Sequence, residues 1–264
     1  MAVSIACVSG KGGVGKTTTC ASLAAVLAER GRRVLAVDMD PQSNLTSGLG
    51  FNPYSLDRTV SSVLVDPERR VRDAVLSTRW PNLHLLPASP DLSAVEAELP
   101  TVIDRELGLR DSLARNGLQS AYDFVLFDSP PSFGFHTVSV LAAADYVIIP
   151  VQMSGFALKG LKETLRTINT ARQRLNPRLT VLGMLATFVA PRTRFSRDLL
   201  DGLRAMPGLR LFDTVLKVTV RLQENALAGE PITAYAPSSD AAAAYRQLAD
   251  EVVAAVLAEA ETVA

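Results

Sequence analysis

The sequence predicts an α/β fold in which a doubly wound, mostly parallel sheet carries helices on both faces. Short apolar runs alternate with longer helical patterns along most of the 264 residues, and this alternation implies parallel strands joined by right-handed crossovers. The runs are apolar throughout, as is typical of strands covered on both sides. Because the sequence shows no repeat, linker or composition boundary, we expect residues 1–264 to form one domain.

Each element has its own signal. Six apolar runs are predicted to be buried strands, at residues 3–8, 34–37, 83–86, 124–127, 146–151 and 181–186. Helical patterns cover residues 17–30, 93–115, 135–144 and 157–174, and an alanine-rich segment predicts a last helix from residue 238 to about residue 260. In the helix at 157–174 an apolar stripe is predicted at Leu158, Leu161, Leu165 and Ile168. Residues 42–80 are the least regular, with short helical pieces between 53 and 67.

Composition excludes several classes of protein. Apolar residues make up 48%, and the 27 basic residues equal the 27 acidic ones, which excludes a uniformly basic nucleic-acid coat and an acidic solvating chain. Cys7 and Cys20 are too few for a disulfide framework or a closed zinc site. No apolar run approaches the roughly 18 residues of a membrane span, and the N-terminus lacks the pattern of a signal peptide. We expect a cytoplasmic protein.

The sequence GKGGVGKT at residues 10–17 satisfies the full pattern of a phosphate-binding loop between a strand and a helix. Its glycines let successive N–H groups turn toward phosphate oxygens, and the following helix N-terminus adds partial positive charge. We expect Lys16 to contact the β and γ phosphates and the Thr17 hydroxyl to ligate Mg²⁺. The candidate nucleotide-binding residues are Gly10, Lys11, Gly12, Gly13, Val14, Gly15, Lys16, Thr17 and Thr18. The glycine spacing excludes a dinucleotide-binding dehydrogenase.

Three aspartates follow predicted strands, at the edge where ligands bind in open α/β sheets. Asp38 and Asp40 are two residues apart, so they point the same way if the strand geometry continues. Asp38 is equally compatible with capping the loop or helix that follows it. Asp128 directly follows the predicted strand at 124–127, and this position is typical of a carboxylate that holds Mg²⁺.

The second lysine of the loop, Lys11, makes KGGVGKTT similar to the signature of the deviant Walker A ATPases. The chain resembles their ParA branch, within the MinD/ParA superfamily of P-loop NTPases, through VDMDPQ at 37–42, DSPPS at 128–132 and GEPI at 229–232. The resemblance implies ATP and Mg²⁺ as cofactors and a homodimer that sandwiches two nucleotides. It implies catalytic roles for Lys11, which reaches the partner's phosphates, for Lys16, and for Asp40, which orients or polarises the attacking water. It also implies that Thr17 and Asp128 hold the metal.

In function, the chain resembles a Soj-type partition switch for a chromosome or plasmid. Such a protein assembles as a dimer with ATP, holds nucleoid DNA and hydrolyses ATP slowly until a ParB-like partner stimulates it. The start of the chain at the first strand favours the short type without an N-terminal DNA-binding extension. One departure is Lys217-Val218-Thr219 where the family has Pro-Arg-Asn. In relatives that stretch packs near the adenine and lends an arginine to DNA, so DNA binding is either lost or relocated here.

An uneven charge distribution indicates a surface for double-stranded DNA. Residues 159–221 contain 13 basic and 4 acidic side chains, a net charge of +9 that the rest of the chain balances. Phosphate contacts from this region predict salt-sensitive binding, and without a reader of base edges it is non-specific. An ordinary solvated face is the alternative. The candidate DNA-binding residues are Lys159, Lys162, Arg166, Arg192, Arg194, Arg197 and Arg221.

Three other functions compete with the partition switch. A MinD-like positioning ATPase, acting through protein or membrane partners, needs a basic amphipathic C-terminal helix for a membrane, whereas the tail from Asp250 carries four acids and neither Lys nor Arg. An iron–sulfur enzyme of the same superfamily needs cysteine ligands at the dimer face, and neither cysteine is placed for that. A non-catalytic scaffold is disfavoured by the retention of Lys16, Thr17, Asp40 and Asp128.

Overall fold

The computed structural model describes residues 2–66, 70–98 and 104–263. Its strands, in chain order, are β1 Val3–Cys7, β2 Val34–Asp38, β3 Leu76–Ser77, β4 Leu83–Leu86, β5 Phe124–Asp128, β6 Tyr146–Gln152, β7 Thr180–Val189 and β8 Leu211–Lys217. They form one sheet in the order β3-β4-β2-β5-β1-β6-β7-β8. Every neighbouring pair is parallel except the two-residue pairing of β3 with β4.

The helices in the described ranges are α1 Lys16–Glu29, α2 Asn44–Gly48, α3 Val60–Val65, α4 Leu92–Glu98, α5 Gly108–Arg115, α6 Leu118–Ala121, α7 Phe135–Ala143, α8 Ala157–Arg174, α9 Arg194–Arg204, α10 Arg221–Ala228, α11 Ile232–Tyr235 and α12 Asp240–Val263. Short 3₁₀ turns occupy Pro53–Ser55, Val71–Ala74 and Arg105–Leu107. In the part of the chain so described, no helix combines the length and the apolar character that crossing a membrane requires.

The sheet separates two apolar cores, because successive side chains of a strand point to opposite faces. In β2, Leu35 and Val37 belong to the core that contains α3, α4, α5, α7 and α8. Val34 and Ala36 belong to the core that contains α1, α11 and α12. All five residues of β2 are buried, which explains its continuous apolar sequence. The predicted fold class, a mostly parallel sheet with helices on both faces, is confirmed.

Parallel pairing brings the ends of the central strands together. Cys7 and Asp38 both pair with Asp128, from opposite sides of β5. From β1 the chain crosses to β2, which lies on the β5 side of β1. From β5 it crosses in the opposite direction to β6, which lies on the other side of β1. The loop after β1 therefore lies at the switch point of the sheet, where open α/β folds bind ligands.

Some elements differ from the prediction. The single helix expected at 93–115 is wrong, since α4 and α5 are separate helices and residues 99–103 of that stretch lie outside the described residues. Strand β8 was not predicted because it is an edge strand whose exposure alternates, so it lacks a continuous apolar run. In α8 the buried side is formed by Ala157, Leu161, Thr164, Ile168 and Ala171. Leu158 is not part of it, being 53% exposed.

Candidate nucleotide-binding site

The phosphate loop joins β1 to α1 at the carboxyl edge of the sheet. Gly13 and Gly15 have φ angles of 70° and 93°, in the left-handed region that residues with a Cβ rarely adopt. Gly15 is also the residue that precedes the first turn of α1. The loop thus delivers a helix N-terminus, with its unpaired N–H groups, to the open edge of the sheet, which is the geometry of an anion-binding site.

Lys16 is held inside this loop. Its side chain is buried, and Nζ donates a hydrogen bond to the Lys11 carbonyl at 3.1 Å. Burial lowers the pKa of Lys16, while the nearby carboxylates of Asp128 and Asp40 act in the opposite direction. A buried ammonium group that has already lost its water can form strong hydrogen bonds with the phosphates of a nucleotide.

Thr17, at the end of the phosphate loop, and Asp128 form a hydrogen-bonded pair of oxygen-bearing side chains. The Thr17 hydroxyl donates to Asp128 Oδ2 at 2.6 Å, and Asp128 is fully buried at the end of β5. Its second oxygen, Oδ1, has no hydrogen-bond partner among the described residues. Burial raises the pKa of Asp128 well above its usual range, and the neighbouring Asp38 carboxylate adds to the effect. A buried acceptor without a partner, beside a hydroxyl, fits Mg²⁺ or a water bound to it.

Within the described ranges no group of three or more His, Cys, Asp and Glu side chains could hold a metal ion by itself. Such a cluster is not required for Mg²⁺ at a nucleotide, since this ion keeps several waters and takes its other ligands from phosphates and one or two protein groups.

Asp38 and Asp40 have different environments. Asp38 is the last residue of β2 and is fully buried, where it accepts hydrogen bonds from Thr46 N at 2.8 Å, Thr46 Oγ1 at 2.7 Å and Asp40 N at 3.1 Å. Burial raises the pKa of Asp38 to about 6, and the bonds from Thr46 oppose the rise. Strand β2 ends at Asp38, before Asp40, and of the two carboxylates only that of Asp40 lines the cleft. Asp38 fixes the loop that follows β2.

Asp40 lies on the cleft itself. It lines the same cavity as Lys16 and Thr17, is 5% exposed, and accepts Gln42 N on Oδ1 at 3.0 Å. Its other oxygen receives no hydrogen bond from the described residues. One carboxylate oxygen is thus fixed by the backbone while the second can hold a water in the cleft.

The cavity has a volume of about 640 Å³ and extends from the phosphate loop to β8 and α10. Of the candidate nucleotide-binding residues, those lining it are Gly12, Gly13, Gly15, Lys16, Thr17 and Thr18. Gly10, Lys11 and Val14 do not line it. Lys217 and Thr219 of the segment that departs from the family pattern are part of the lining.

Sequence reasoning missed the wall contributed by β7. Thr187 Oγ1 donates to the Val14 carbonyl at 2.9 Å and so braces the phosphate loop. The next residue, Phe188, lines the cavity with a φ of 54°, and it lies where the register between β7 and β8 shifts. A bulge in an edge region re-aims side chains, but nothing in the local sequence marks it.

A proline, a serine and an aromatic ring connect the segment after Asp128 to the phosphate loop. Pro131 lies 3.7 Å from where a Cβ of Gly12 would be, and the Phe133 ring covers Gly10. Ser129 Oγ donates to the Cys7 carbonyl at 2.8 Å. The segment after β5 and the phosphate loop are therefore packed directly against each other.

None of the predicted DNA-binding residues lines this cleft, although Arg221 is flanked in sequence by Thr219 and Leu222, which do. Lys159, Lys162 and Arg166 are exposed on one side of α8. Arg194 pairs with Asp198 at 3.5 Å and Arg221 with Glu224 at 3.2 Å. The other two predicted DNA-binding residues, Arg192 before α9 and Arg197 on α9, are also exposed.

Comparison with known proteins places this geometry in a family. A family model described as an AAA domain matches residues 2–181. The sporulation initiation inhibitor protein Soj of Bacillus subtilis is 40% identical over 250 residues, which are 95% of this chain and 98% of that protein. The chromosome partitioning protein ParA of Caulobacter vibrioides is 40% identical over 243 residues, 92% of this chain and 91% of that one. The chain belongs to the ParA/Soj family.

Solved structures agree with this membership. A Mycobacterium smegmatis protein named cobyrinic acid a,c-diamide synthase, crystallised with ADP and magnesium, has a TM-score of 0.83 at 38% identity, covering 95% of this chain and 93% of that one. The septum site-determining protein MinD of Pyrococcus horikoshii, complexed with Mg-ADP, has a TM-score of 0.77 at 28% identity, covering 96% of each chain. This ParA-type chain therefore shares its fold with nucleotide-binding proteins of the MinD/ParA superfamily.

Proposed function

We propose that this ParA-type protein is an ATPase that dimerises around two ATP and two Mg²⁺ and holds double-stranded DNA non-specifically. Hydrolysis, stimulated by a ParB-like partner, then releases the DNA during chromosome or plasmid partition. The observation that carries the proposal is the convergence of Lys16, Thr17, Asp40 and Asp128 around the end of one cleft. The named relatives support the partition role.

Each residue has a distinct part in the proposed reaction. The loop N–H groups and Lys16 bind the phosphates, and Thr17 with Asp128 would hold Mg²⁺, which supplies charge neutralisation at the phosphates when bound. Asp40 holds the attacking water on its free oxygen. Lys11 reaches the phosphates bound by the second subunit.

Exposed apolar side chains, one of them on the cleft, support dimerisation. Leu227 lines the cavity and is 90% exposed, and Val218 and Val220 are each 66% exposed. Phe156, which follows β6, is 75% exposed. Contiguous exposed apolar patches mark interaction sites, and Leu227, on the cleft itself, is the side chain that a second copy facing the cleft would cover.

The charge distribution supports the DNA step. Lys159, Lys162 and Arg166 are exposed at helical spacing, and no ion pair to any of the three is found among the described residues. A dimer doubles this face, so phosphate contacts add and the affinity falls steeply with salt.

The test is binding of a labelled random-sequence duplex, followed by fluorescence anisotropy with Mg²⁺ and a slowly hydrolysed ATP analogue, with ADP, or without nucleotide. We expect binding only with the ATP analogue, together with a measurable release of phosphate from ATP. Absence of DNA binding in all three states would contradict the DNA step, and absence of phosphate release would contradict the ATPase.

A further inference from the structure

The second lysine of the phosphate loop is bound by its own subunit. Lys11 Nζ donates to Gln152 Oε1 at 2.7 Å and to Ser154 Oγ at 3.2 Å. Gln152 is the last residue of β6, and Ser154 follows it in the turn before α8. All three side chains are partly buried. Lys11 is therefore directed along the edge of the sheet, and it does not line the nucleotide cavity.

The acceptors of this contact are held in place by their surroundings. Met153, between the two acceptors, donates its N–H to the Thr187 carbonyl at 3.0 Å. Thr187 in turn donates to the Val14 carbonyl of the phosphate loop. The turn at 152–154 and the loop that carries Lys11 are thus fixed relative to each other, so the acceptors need no ordering when Lys11 binds them.

The chemistry of the acceptors makes the contact breakable. An amide oxygen and a hydroxyl oxygen are neutral, and a lysine bound to them keeps an uncompensated charge. Hydrogen bonds from an ammonium group are strengthened by its charge with either kind of acceptor, but a phosphate adds the Coulomb attraction of an opposite charge, which a neutral oxygen does not provide. A phosphate presented to Lys11 from outside the subunit therefore competes with both acceptors.

We propose that Gln152 and Ser154 are positioning residues that hold Lys11 within its own subunit until a second, nucleotide-loaded copy offers its phosphates, and so set the threshold for dimerisation. This inference rests on the proposed role of Lys11 across the dimer. Because Lys11 must leave its own acceptors in both subunits when the dimer forms, the free-energy cost of breaking the contact is incurred twice. Suppose that Lys11 is bound to Gln152 and Ser154 about ten times as often as it is free. Only subunits with a free Lys11 can dimerise, and this fraction enters once for each subunit, so the dimer dissociation constant is raised about 100-fold.

The test compares two substitutions of Gln152 that change the contact in opposite directions. Gln152→Ala removes the shorter hydrogen bond, and Gln152→Glu converts it to an ion pair with Lys11. The dimer dissociation constant is measured by sedimentation velocity on the full chain with Mg²⁺ and a slowly hydrolysed ATP analogue. We expect Gln152→Ala to lower it by about 10- to 100-fold and Gln152→Glu to raise it.

Ser154→Ala removes the longer bond and is expected to act in the same direction as Gln152→Ala, with a smaller shift. A merely structural role for residue 152 would move both Gln152 variants in the same direction, and that result would overturn the inference. Unchanged dissociation constants would also overturn it. The nucleotide affinity of the monomer and its melting temperature, measured alongside, show that each variant is folded and loaded.

Lys11→Ala separates failure of this inference from failure of the proposed function. If that variant dimerises as tightly as the wild type, Lys11 has no role across the dimer, and both the proposed role and the inference fall. If Lys11→Ala weakens the dimer while Gln152→Ala and Gln152→Glu leave it unchanged, the role across the dimer stands and only the positioning by Gln152 and Ser154 is overturned.

Discussion

The ring of Phe133 lies directly against Gly10. A Cβ at residue 10 would come within 2.4 Å of two ring atoms, Cε2 and Cζ, far inside van der Waals contact. Gly10 belongs to the phosphate loop and Phe133 to the segment that follows Asp128, so the contact joins two parts of the site that are far apart in sequence. The space that the ring occupies leaves no room for a side chain at residue 10.

Gly10→Ala is expected to lower the free energy of unfolding, measured by urea denaturation without nucleotide, by about 1–3 kcal/mol, the usual cost of overpacking. Adding Phe133→Ala in the same chain removes the clash and is expected to recover most of the loss. Gly12→Ala is the matched control, because its Cβ would lie at an ordinary 3.7 Å from Pro131. An equal loss with and without Phe133 would show that the ring does not press on the loop.

Lys16→Ala is expected to reduce ATP affinity by at least about 100-fold, since hydrogen bonds to charged groups contribute about 1.5–3 kcal/mol each and the proposed role of Lys16 is to contact two phosphates. Isothermal titration calorimetry of the monomer measures this loss. Circular dichroism serves as the check that the variant is folded. An ATP affinity equal to that of the wild type would remove Lys16 from the binding site.

Asp40→Ala and Asp38→Ala are expected to fail in different ways. Asp40→Ala should bind ATP with near-normal affinity and lose phosphate release, because only the group that holds the water is gone. Asp38→Ala removes the acceptor of three hydrogen bonds, so unfolding should become easier by several kcal/mol, about 1–3 for each donor left buried without a partner. Wild-type turnover in Asp40→Ala would exclude it from the reaction.

Much of the fold could be predicted from the sequence because central strands are buried on both faces and show it as continuous apolar runs. The edge strand β8 could not, since only alternate side chains are buried there. Among the site residues, the phosphate loop and Asp128 have short-range signatures. The distinction between Asp38 and Asp40 depends on Thr46, eight residues after Asp38, and on where β2 ends.

The cleft wall formed by Thr187 and Phe188 had no signal at all in the sequence. It results from a register shift between β7 and β8, and such a shift depends on how two strands distant from the loop pair with each other. The partners of Lys11 were likewise missed, because Gln152 and Ser154 are 141 and 143 residues further along the chain.

His136 is expected to make the protein sensitive to acid. Burial lowers its pKa below 6.5, against smaller opposing effects of Glu96 and Asp40, and its Nδ1 has no partner among the described residues. The folded state therefore keeps His136 neutral, while the unfolded chain takes up a proton near pH 6.5. The stability that this neutral form provides is present above pH 6.5 and is lost as the pH falls.

His136→Leu is accordingly expected to flatten the loss of unfolding free energy between pH 7.5 and 5.5, by up to about 1.4 kcal/mol for each pH unit. At pH 7.5 the change should be small, because the substitution removes a buried Nδ1 without a partner and also the hydrogen bond between His136 and the Leu92 backbone, which act in opposite directions. His84→Leu is the control, because His84 is a less buried histidine whose pKa is also lowered. It is expected to change the pH dependence of the unfolding free energy less than His136→Leu does. Parallel pH profiles for wild type and His136→Leu would contradict the assignment.

The basic face of α8 gives the last prediction. Replacing Lys159 and Lys162 together by Glu should weaken duplex binding and leave ATP affinity unchanged, because neither side chain lines the nucleotide cavity. A dimer loses up to four phosphate contacts, so the slope of log affinity against log salt should fall by about 3 to 4, at roughly 0.9 for each contact. The control is Arg32→Glu with Arg115→Glu, which makes the same change of charge at exposed positions outside this face. If the control weakens binding as much as the α8 variant, net charge alone explains the affinity and α8 is not the DNA surface.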